Sequence, residues 1–269
     1  MKLYKIVNSN TFPIVCNIPH SSIKIPTSFR KDFKIFDDKL SKEAHELADL
    51  FTDKLFNALF KTYNYNGIIS LTSRLATDIE RFEDDKLELM SKVGMGVLYT
   101  KSQSGKTIRE LSHERREYLL NLFYRPYHNE LTDLVTDSLK KFKKCIILDC
   151  HSFPSTPRSY EPDQENNRPD ICIGVDKYHT SKKLVVLFEK EFKKNNFSVS
   201  INSPFSGTII PTKYYKKEKN VLSVMIEINR KLYMNEKKFL KNKDFSKISK
   251  IICLCVNNSI QRYLKNRPV

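Results

Sequence analysis

Short apolar runs alternate along the chain with segments that repeat apolar residues at the helical period. The clearest run is Cys145 to Leu148, which lysines precede and Ser-Phe-Pro follows. Because it shows no helical period, we interpret it as a strand buried on both faces. Asp149 and His151 lie at its end, two residues apart, and on an extended backbone they point to the same side. They form either a pair that could hold a metal or a buried histidine that a neighbouring hydrogen bond satisfies.

The same pattern predicts the remaining elements. Further strands are expected at residues 14–18, 68–71, 171–176, 197–202 and 221–228. Helices are expected at 41–63, with Ser41 as N-cap, at 112–142, with a kink or break near Pro126, at 182–195 and at 246–264. Strands that alternate with helices indicate a three-layer α/β fold with a mostly parallel or mixed sheet. We expect a single domain over residues 1–269.

Polar residues follow two of the predicted strands. His20 comes just after the strand at 14–18, and Arg74, Asp78 and Arg81 fall within eight residues after the strand at 68–71. Two arginines can bind a carboxylate through paired hydrogen bonds, and an acid between them holds their geometry. A surface ion-pair cluster is the alternative interpretation.

Further acids lie in two of the predicted elements. Glu227 lies in a run of Val, Met and Ile, where a carboxylate is costly to bury unless it has a partner or a function. Arg230 follows it, so a structural ion pair is the alternative. Asp49 and Asp53 stand one turn apart on the predicted helix 41–63, where a solvated helix surface is the simpler interpretation.

Ligands bind at the carboxyl ends of strands in open α/β sheets, so His20, Arg74, His151 and Glu227 are expected to meet at one edge. Two histidines and a carboxylate make a zinc site of the catalytic type, which leaves a position open for water. A separate carboxylate can take a proton from water and pass it to a leaving nitrogen. This set of residues predicts amide hydrolysis.

Seven segments in order carry a resemblance to a known family: IPHSS, SRLATDIERF, YRPYH, LDCHSFPS, RPDICIGVD, NSPFSGT and IEINRKLYM. From Ile14 to Tyr233 the chain resembles the N-formylglutamate amidohydrolase family, which is related in fold to zinc carboxypeptidases. The resemblance implies zinc-dependent hydrolysis of an N-formyl or N-acyl amino acid, such as N-formylglutamate, to the carboxylic acid and the free amino acid. It further implies the following roles: metal ligands His20 and His151, general base Glu227, and substrate-binding residues Arg74, Arg81, Arg230 and Asn202, which begins NSPFSGT.

The chain departs from these relatives in two places. The carboxypeptidases take a ligating carboxylate from an HxxE pattern, but Ile23 stands three residues after His20. Asp49, in DLFTDKLF, resembles the family's acidic segment and is our predicted third ligand, with Asp78 and Asp149 as alternatives. Glu80 stands where some members of the family have asparagine. The acyl group and the amino acid of the substrate therefore stay open.

Composition narrows the class of partner. The formal net charge is +16, but the lysines are scattered and no basic stretch alternates with aromatic residues, so we expect no nucleic-acid partner. Two hypotheses compete with the predicted amidohydrolase: a peptidase or deacylase that acts on another acyl group, and a non-catalytic or nucleic-acid-binding protein that uses this charge. The six cysteines lack CxxC spacing, which favours buried thiols in a reducing compartment. With no signal-like or membrane-spanning run, we expect a cytoplasmic protein whose partner is a small acidic N-acyl amino acid.

Overall fold

A mixed β-sheet forms the centre of the computed structural model of the protein, which describes residues 2–9 and 11–265. The strands are β1 (Tyr4–Val7), β2 (Ile14–Ile18), β3 (Asn66–Ser70), β4 (Cys145–Phe153), β5 (Ile171–Gly174), β6 (Val199–Ile201) and β7 (Val221–Asn229). A separate short hairpin pairs β8 (Met234–Asn235) with β9 (Leu240–Lys241). The helices are α1 (Thr27–Arg30), α2 (Asp37–Leu47), α3 (Thr52–Leu55), α4 (Asn57–Lys61), α5 (His113–Leu119), α6 (Arg125–Phe142), α7 (Lys182–Lys194) and α8 (Phe245–Lys265).

The order of the strands places the functional residues at one edge. In the described part of the chain the sheet runs β1-β3-β2-β4-β7-β5-β6. The four strands β3, β2, β4 and β7 are parallel to their neighbours in this set, whereas β1 and β5 run antiparallel to β3 and β7. The carboxyl ends of the four parallel strands therefore share one edge, which we call the carboxyl edge.

Helices cover both faces of the sheet. Side chains alternate along β4, so that Ile146 and Leu148 join one buried cluster and Cys145 and Ile147 join the other. The first cluster includes residues of α7 and α8, and the second includes residues of α2 and α6. The predicted three-layer α/β fold with a mixed sheet is therefore confirmed. No helix among residues 2–9 and 11–265 is long and apolar enough to cross a membrane.

The predicted helix 41–63 is wrong in its bounds and in its continuity. The helix α2 begins at Asp37, so Ser41 lies inside it rather than at its N-cap. It ends at Leu47, the next residue, Ala48, has an extended ψ of 146°, and Phe51 has a left-handed φ of 68°. The period of apolar residues continues into α3 and α4 and hides this break, because periodicity does not report a change in backbone direction.

Asp49 lies in that break. Its backbone N–H donates to the carbonyl of His20 at 2.9 Å, and its side chain is buried. Asp53 lies on α3 and forms an ion pair with Lys54 at 3.0 Å. The prediction that the two acids share one helix face is wrong, and the break is what turns Asp49 towards the end of β2.

The predicted break near Pro126 is wrong, because residues 113–142 are helical without a gap. A π-helical turn at Leu120–Tyr124 joins α5 to α6, and Pro126 is the second residue of α6. Tyr127 and His128, which follow the proline, lie in regular helix.

Candidate active site

A cavity of about 860 Å³ lies at the carboxyl edge. Seven of the eight predicted site residues line it: His20, Asp49, Arg74, Arg81, His151, Glu227 and Arg230. Asn202 does not belong to the lining. It is exposed after β6, and its Oδ1 accepts a hydrogen bond from the backbone of Val175 at 2.9 Å.

His20, Asp49 and His151 form a compact group of potential ligands. One ligand atom from each lies within 4.8 Å of the others. Nδ1 of His151 is 3.0 Å from Oδ2 of Asp49, and Nδ1 of His20 is 3.9 Å from the same oxygen. All three side chains are buried, although they come from the ends of β2 and β4 and from the break after α2.

The carboxylate of Asp78 orients His20. Oδ1 of Asp78 lies 2.8 Å from Nε2 of His20. Burial, together with the positive charge of Arg74, lowers the pKa of His20 to about 4, although Asp78 acts in the opposite direction. The ring is therefore neutral near pH 7, and since Nε2–H donates to Asp78, the lone pair lies on Nδ1. That nitrogen is buried and has no hydrogen-bond partner among the described residues.

Asp149 orients His151 in the same way. Its Oδ1 lies 3.0 Å from Nε2 of the ring, while Nδ1 faces Asp49. Burial lowers the pKa of His151, but the charge and hydrogen bond of Asp149 and the hydrogen bond of Asp49 outweigh it, so the pKa is raised well above its ordinary value. The space between Nδ1 and Asp49 thus favours a positive charge, which a proton or a metal ion can supply.

Asp49 is held as a carboxylate. Nη2 of Arg230 donates to its Oδ1 at 3.0 Å, and the backbone N–H of Ser152 donates to Oδ2 at 3.3 Å. Burial raises the pKa of Asp49, but the hydrogen bond of His151 and the charge of Arg230 reverse the effect and hold it below its usual value. An ionised carboxylate with one oxygen turned towards two histidine nitrogens has the charge that a divalent cation requires.

These donors fit a zinc ion. Two histidines and one carboxylate are a ligand set of catalytic zinc sites, and each ligating histidine in such sites gives its other nitrogen to a carboxylate or carbonyl. Here Asp78 and Asp149 contact the Nε2 atoms of the two histidines. Asp49 is therefore better placed than either alternative to be the third ligand of an ion that both Nδ1 atoms bind. Glu80, Asp149 and His151 form a second compact group on the Nε2 side of His151.

Glu227 lies beside His151 in the sheet. The two residues are direct partners in the register of β4 and β7, and Glu227 is 6% exposed. Burial raises the pKa of Glu227 to about 8, while the charges of His151 and Arg230 act to lower it. Its Oε2 is buried and has no hydrogen-bond partner in the described chain. The alternative pairing with Arg230 is absent among the described residues, because the guanidinium of Arg230 contacts Asp49 and Ser152 instead.

The three arginines differ in how much of their hydrogen-bonding capacity the protein uses. Arg74 donates from Nε and Nη2 to Asp78 at 3.0 and 2.7 Å. Arg81 approaches Asp78 and Glu88 only at 3.5 and 3.7 Å, and its buried Nε has no hydrogen-bond partner among the described residues. Arg230 donates to Asp49, to Ser152 and to the carbonyl of Glu46. Arg81 therefore has the most donors to offer to a ligand.

Sequence reasoning missed a buried polar chain behind His151. The hydroxyl of Tyr127 donates to Asn17 at 2.6 Å, and Asn17 donates to Asp149 at 3.0 Å and to Glu80 at 2.7 Å. Burial raises the pKa of Glu80 to about 8, and the nearby charge of Asp149 acts in the same direction. The available signal was an asparagine in the middle of the otherwise apolar strand IVCNI.

The chain is similar in sequence to proteins of one family. The sequence profile of the N-formylglutamate amidohydrolase family matches residues 12–234. The chain is 25% identical over 235 residues to N-formylglutamate deformylase of Pseudomonas putida, covering 83% of this chain and 82% of that protein.

Two crystal structures share the fold. That of N-formylglutamate amidohydrolase from Ralstonia eutropha JMP134 has a TM-score of 0.85 at 22% identity, over 98% of this chain and 99% of the other. That of a gene product of Agrobacterium tumefaciens has a TM-score of 0.73 at 18% identity, over 98% and 96%. Because the family profile spans most of the chain, and a site with paired histidines and acids lies within the matched segment, this chain belongs to the N-formylglutamate amidohydrolase family.

Proposed function

We propose that the protein is a zinc-dependent amidohydrolase that cleaves N-formylglutamate, or a similar acidic N-acyl amino acid, into the carboxylic acid and the free amino acid. The observation that carries the proposal is the buried group of His20, Asp49 and His151 beside Glu227. Membership of the family and the activity named for the Pseudomonas putida relative support the choice of an amide substrate.

His20, Asp49 and His151 would hold the metal ion. A zinc ion in such a site supplies Lewis acidity, which favours addition of water to an amide carbonyl at neutral pH. By binding the Nε2 atoms, Asp78 and Asp149 would leave the two Nδ1 atoms available to the ion, and Arg230 keeps Asp49 ionised and in place. Direct contact of Arg230 with substrate, and the role of Asn202, stay predictions from the sequence.

Glu227 moves the proton in this mechanism. Its unpartnered Oε2 accepts a proton from the attacking water, whose oxygen bonds to the acyl carbon. Oε2 of Glu227 then gives the proton to the amide nitrogen as the C–N bond breaks. The carboxylic acid thus receives the hydroxyl group of the water, and the amine receives its proton. Burial raises the pKa of Glu227, and the charge of a bound divalent cation would lower it towards the range in which the carboxylate can both take and return the proton.

Arg74 and Arg81 bind the carboxylates of the substrate. Both line the cavity, and Arg81 keeps donors that the protein does not use. A planar guanidinium matches the two oxygens of a carboxylate, so these residues select an acidic amino acid and fix the amide relative to Glu227.

We also propose that the protein works in the cytoplasm. All six cysteines are free thiols and are buried, as expected of a protein from a reducing compartment.

The proposal is tested by measuring formate release from N-formyl-L-glutamate. Protein stripped with a chelator should be inactive, and addition of one equivalent of zinc should restore turnover. Full activity of protein shown by elemental analysis to contain no metal would contradict the assignment of the site.

A further inference from the structure

The segment YRPYH, Tyr124–His128, lies beside the cavity but has no part in the mechanism above. It spans the end of the π-helical turn and the start of α6, and Tyr124 and His128 lie one turn apart on the same face of the helix. Their rings pack with centroids 4.3 Å apart, and both residues line the cavity. The segment therefore contacts the substrate site without supplying a metal ligand or a predicted substrate-binding residue.

Tyr124 and His128 bind the backbone of the loop that follows β3. We call residues 79–83 the arginine loop. The hydroxyl of Tyr124 donates to the carbonyl of Arg81 at 2.9 Å, and Nε2 of His128 lies 2.9 Å from the carbonyl of Ile79. A carbonyl can only accept, so Nε2 of His128 carries the proton and donates it. Two carbonyls of the arginine loop are thus bound to one face of the helix.

The arginine loop has few other restraints on its backbone. Residues 71–88 contain neither helix nor strand, and neither of the two carbonyls accepts a further hydrogen bond from the described residues. The side chain of Ile79 is buried in an apolar cluster, so packing also holds that residue. The backbone N–H of Arg81 contacts the carbonyl of Asp78 only at 3.3 Å. The hydrogen bond from Tyr124, which is 8% exposed, is therefore the strongest restraint on the backbone of Arg81.

The guanidinium of Arg81 depends on its backbone more than that of Arg74 does. Arg74 is held by its own pair of hydrogen bonds to Asp78, at 3.0 and 2.7 Å. The carboxylates nearest to the guanidinium of Arg81, those of Asp78 and Glu88, lie at 3.5 and 3.7 Å. A guanidinium binds a carboxylate through two parallel hydrogen bonds only when the two groups are aligned. The alignment of Arg81 is thus set largely by the position of its backbone.

We propose that Tyr124 and His128 are positioning residues for substrate binding, which act through the carbonyls of Arg81 and Ile79 to align the guanidinium of Arg81 with a carboxylate of the substrate. The proposal rests on the proposed hydrolase function. Neither residue touches the reacting atoms, so its loss weakens the binding of substrate and of transition state alike. KM therefore rises, while kcat stays nearly unchanged.

The test measures kinetics of zinc-loaded Tyr124→Phe, which loses the hydroxyl but keeps the ring that packs on His128. Its KM for N-formyl-L-glutamate should rise about three- to tenfold, the effect of one lost hydrogen bond, with kcat within about twofold of the wild type. The same substitution is then made in Arg81→Lys. Lysine makes no paired hydrogen bonds that misalignment could break, so KM should not rise further. An equal rise in both backgrounds, or no rise in either, overturns the proposal and leaves the hydrolase function intact.

Tyr214→Phe is the matched control. The hydroxyl of Tyr214 bonds to Thr136 of α6 at 2.6 Å, and Tyr214 is not among the residues that line the cavity. This substitution removes a tyrosine hydroxyl from the same helix but leaves the arginine loop untouched, so KM should stay unchanged. A rise as large as that in Tyr124→Phe would show a general effect of loosening α6 and would overturn the proposal.

Rescue by a similar side chain tests His128. His128→Ala removes the donor to Ile79 and should raise KM at least about threefold. In His128→Gln the amide nitrogen reaches about the position of Nε2, so most of the lost affinity should return, whereas His128→Asn is one bond shorter and should not restore it. Equal KM values in the three variants overturn the role of His128. Absence of turnover by the zinc-loaded wild type overturns the hydrolase function and the proposal with it.

Discussion

Replacing Asp78 with asparagine tests whether this carboxylate sets the proton position on His20. Oδ2 of Asp78 accepts hydrogen bonds from Arg74 and from the hydroxyl of Tyr99 at 2.8 Å, while Oδ1 accepts from His20 and from the backbone of Glu80 at 3.1 Å. An amide keeps a single acceptor oxygen, so one of these sets must face an NH₂ group.

The permanent charge of Arg74 decides which set that is. An NH₂ group facing a guanidinium is less favourable than one facing an imidazole, which can exchange its tautomer. The amide nitrogen of Asp78→Asn therefore faces His20, whose Nε2 becomes an acceptor. The ring proton moves to Nδ1, the atom that the metal site requires.

The substitution should lower both the zinc affinity and the stability of the protein. Zinc affinity should fall by a factor of roughly 10 to 100, the usual effect of losing a carboxylate behind a ligating histidine. Stability of the metal-free protein should fall by about 3 kcal/mol, the lower end of the range for breaking a buried ion pair, because the side chain of Arg74 is 18% exposed.

Chelator competition measures the zinc affinity, and urea unfolding measures the stability. Tyr99→Phe is the matched control, since it removes one hydrogen bond from the same carboxylate but leaves its charge. It should cost about 1 kcal/mol and leave zinc affinity unchanged. A folded Asp78→Asn protein with wild-type zinc affinity would refute the tautomer argument.

Three further substitutions test a metal ligand, a substrate-binding arginine and the packing of the sheet. His20→Ala should remove bound zinc while the fold stays intact, and the control variant His45→Ala should keep its zinc. Full zinc occupancy of His20→Ala in an elemental analysis would contradict the ligand assignment. Arg81→Lys should raise KM for N-formylglutamate about 10- to 100-fold, because lysine cannot make paired hydrogen bonds with a carboxylate. An unchanged KM would show that Arg81 does not bind the carboxylates of the substrate. Gly67→Ala should destabilise the fold by about 1–3 kcal/mol in a thermal melt, because its Cβ would lie 2.5 Å from the carbonyl oxygen of Cys16; an unchanged melting temperature contradicts this packing.

The strands that carry the site were predictable because each is a run of buried apolar residues with polar residues at its end. This pattern placed His20, His151 and Glu227 at the carboxyl edge before any tertiary contact was known. Parallel order then follows from the alternation of strands and helices.

The surroundings of Asp49 were not predictable in this way. Its neighbours repeat at the helical period, and nothing in that period reveals the left-handed residue Phe51 or the loss of helix at Ala48. The contact with Arg230 joins residues far apart in sequence, so it depends on the packing of β7 beside β4.

The contacts of Asp78 and Asn17 depend on packing in the same sense. A sequence shows that Asp78 lies between two arginines, but the partnership with His20 exists only once β2 and β3 are paired. Asn17 on β2 likewise contacts Asp149 on the neighbouring strand β4 and Glu80 in the loop after β3.

Parallel measurement of zinc content and formate release in Glu227→Gln tests the central claim most directly. Glutamine keeps the shape of the side chain but cannot accept the proton from water. We predict one bound zinc per chain, as in the wild type, and a kcat for N-formyl-L-glutamate lower by a factor on the order of 10² or more. Wild-type turnover by the zinc-loaded variant would contradict the account.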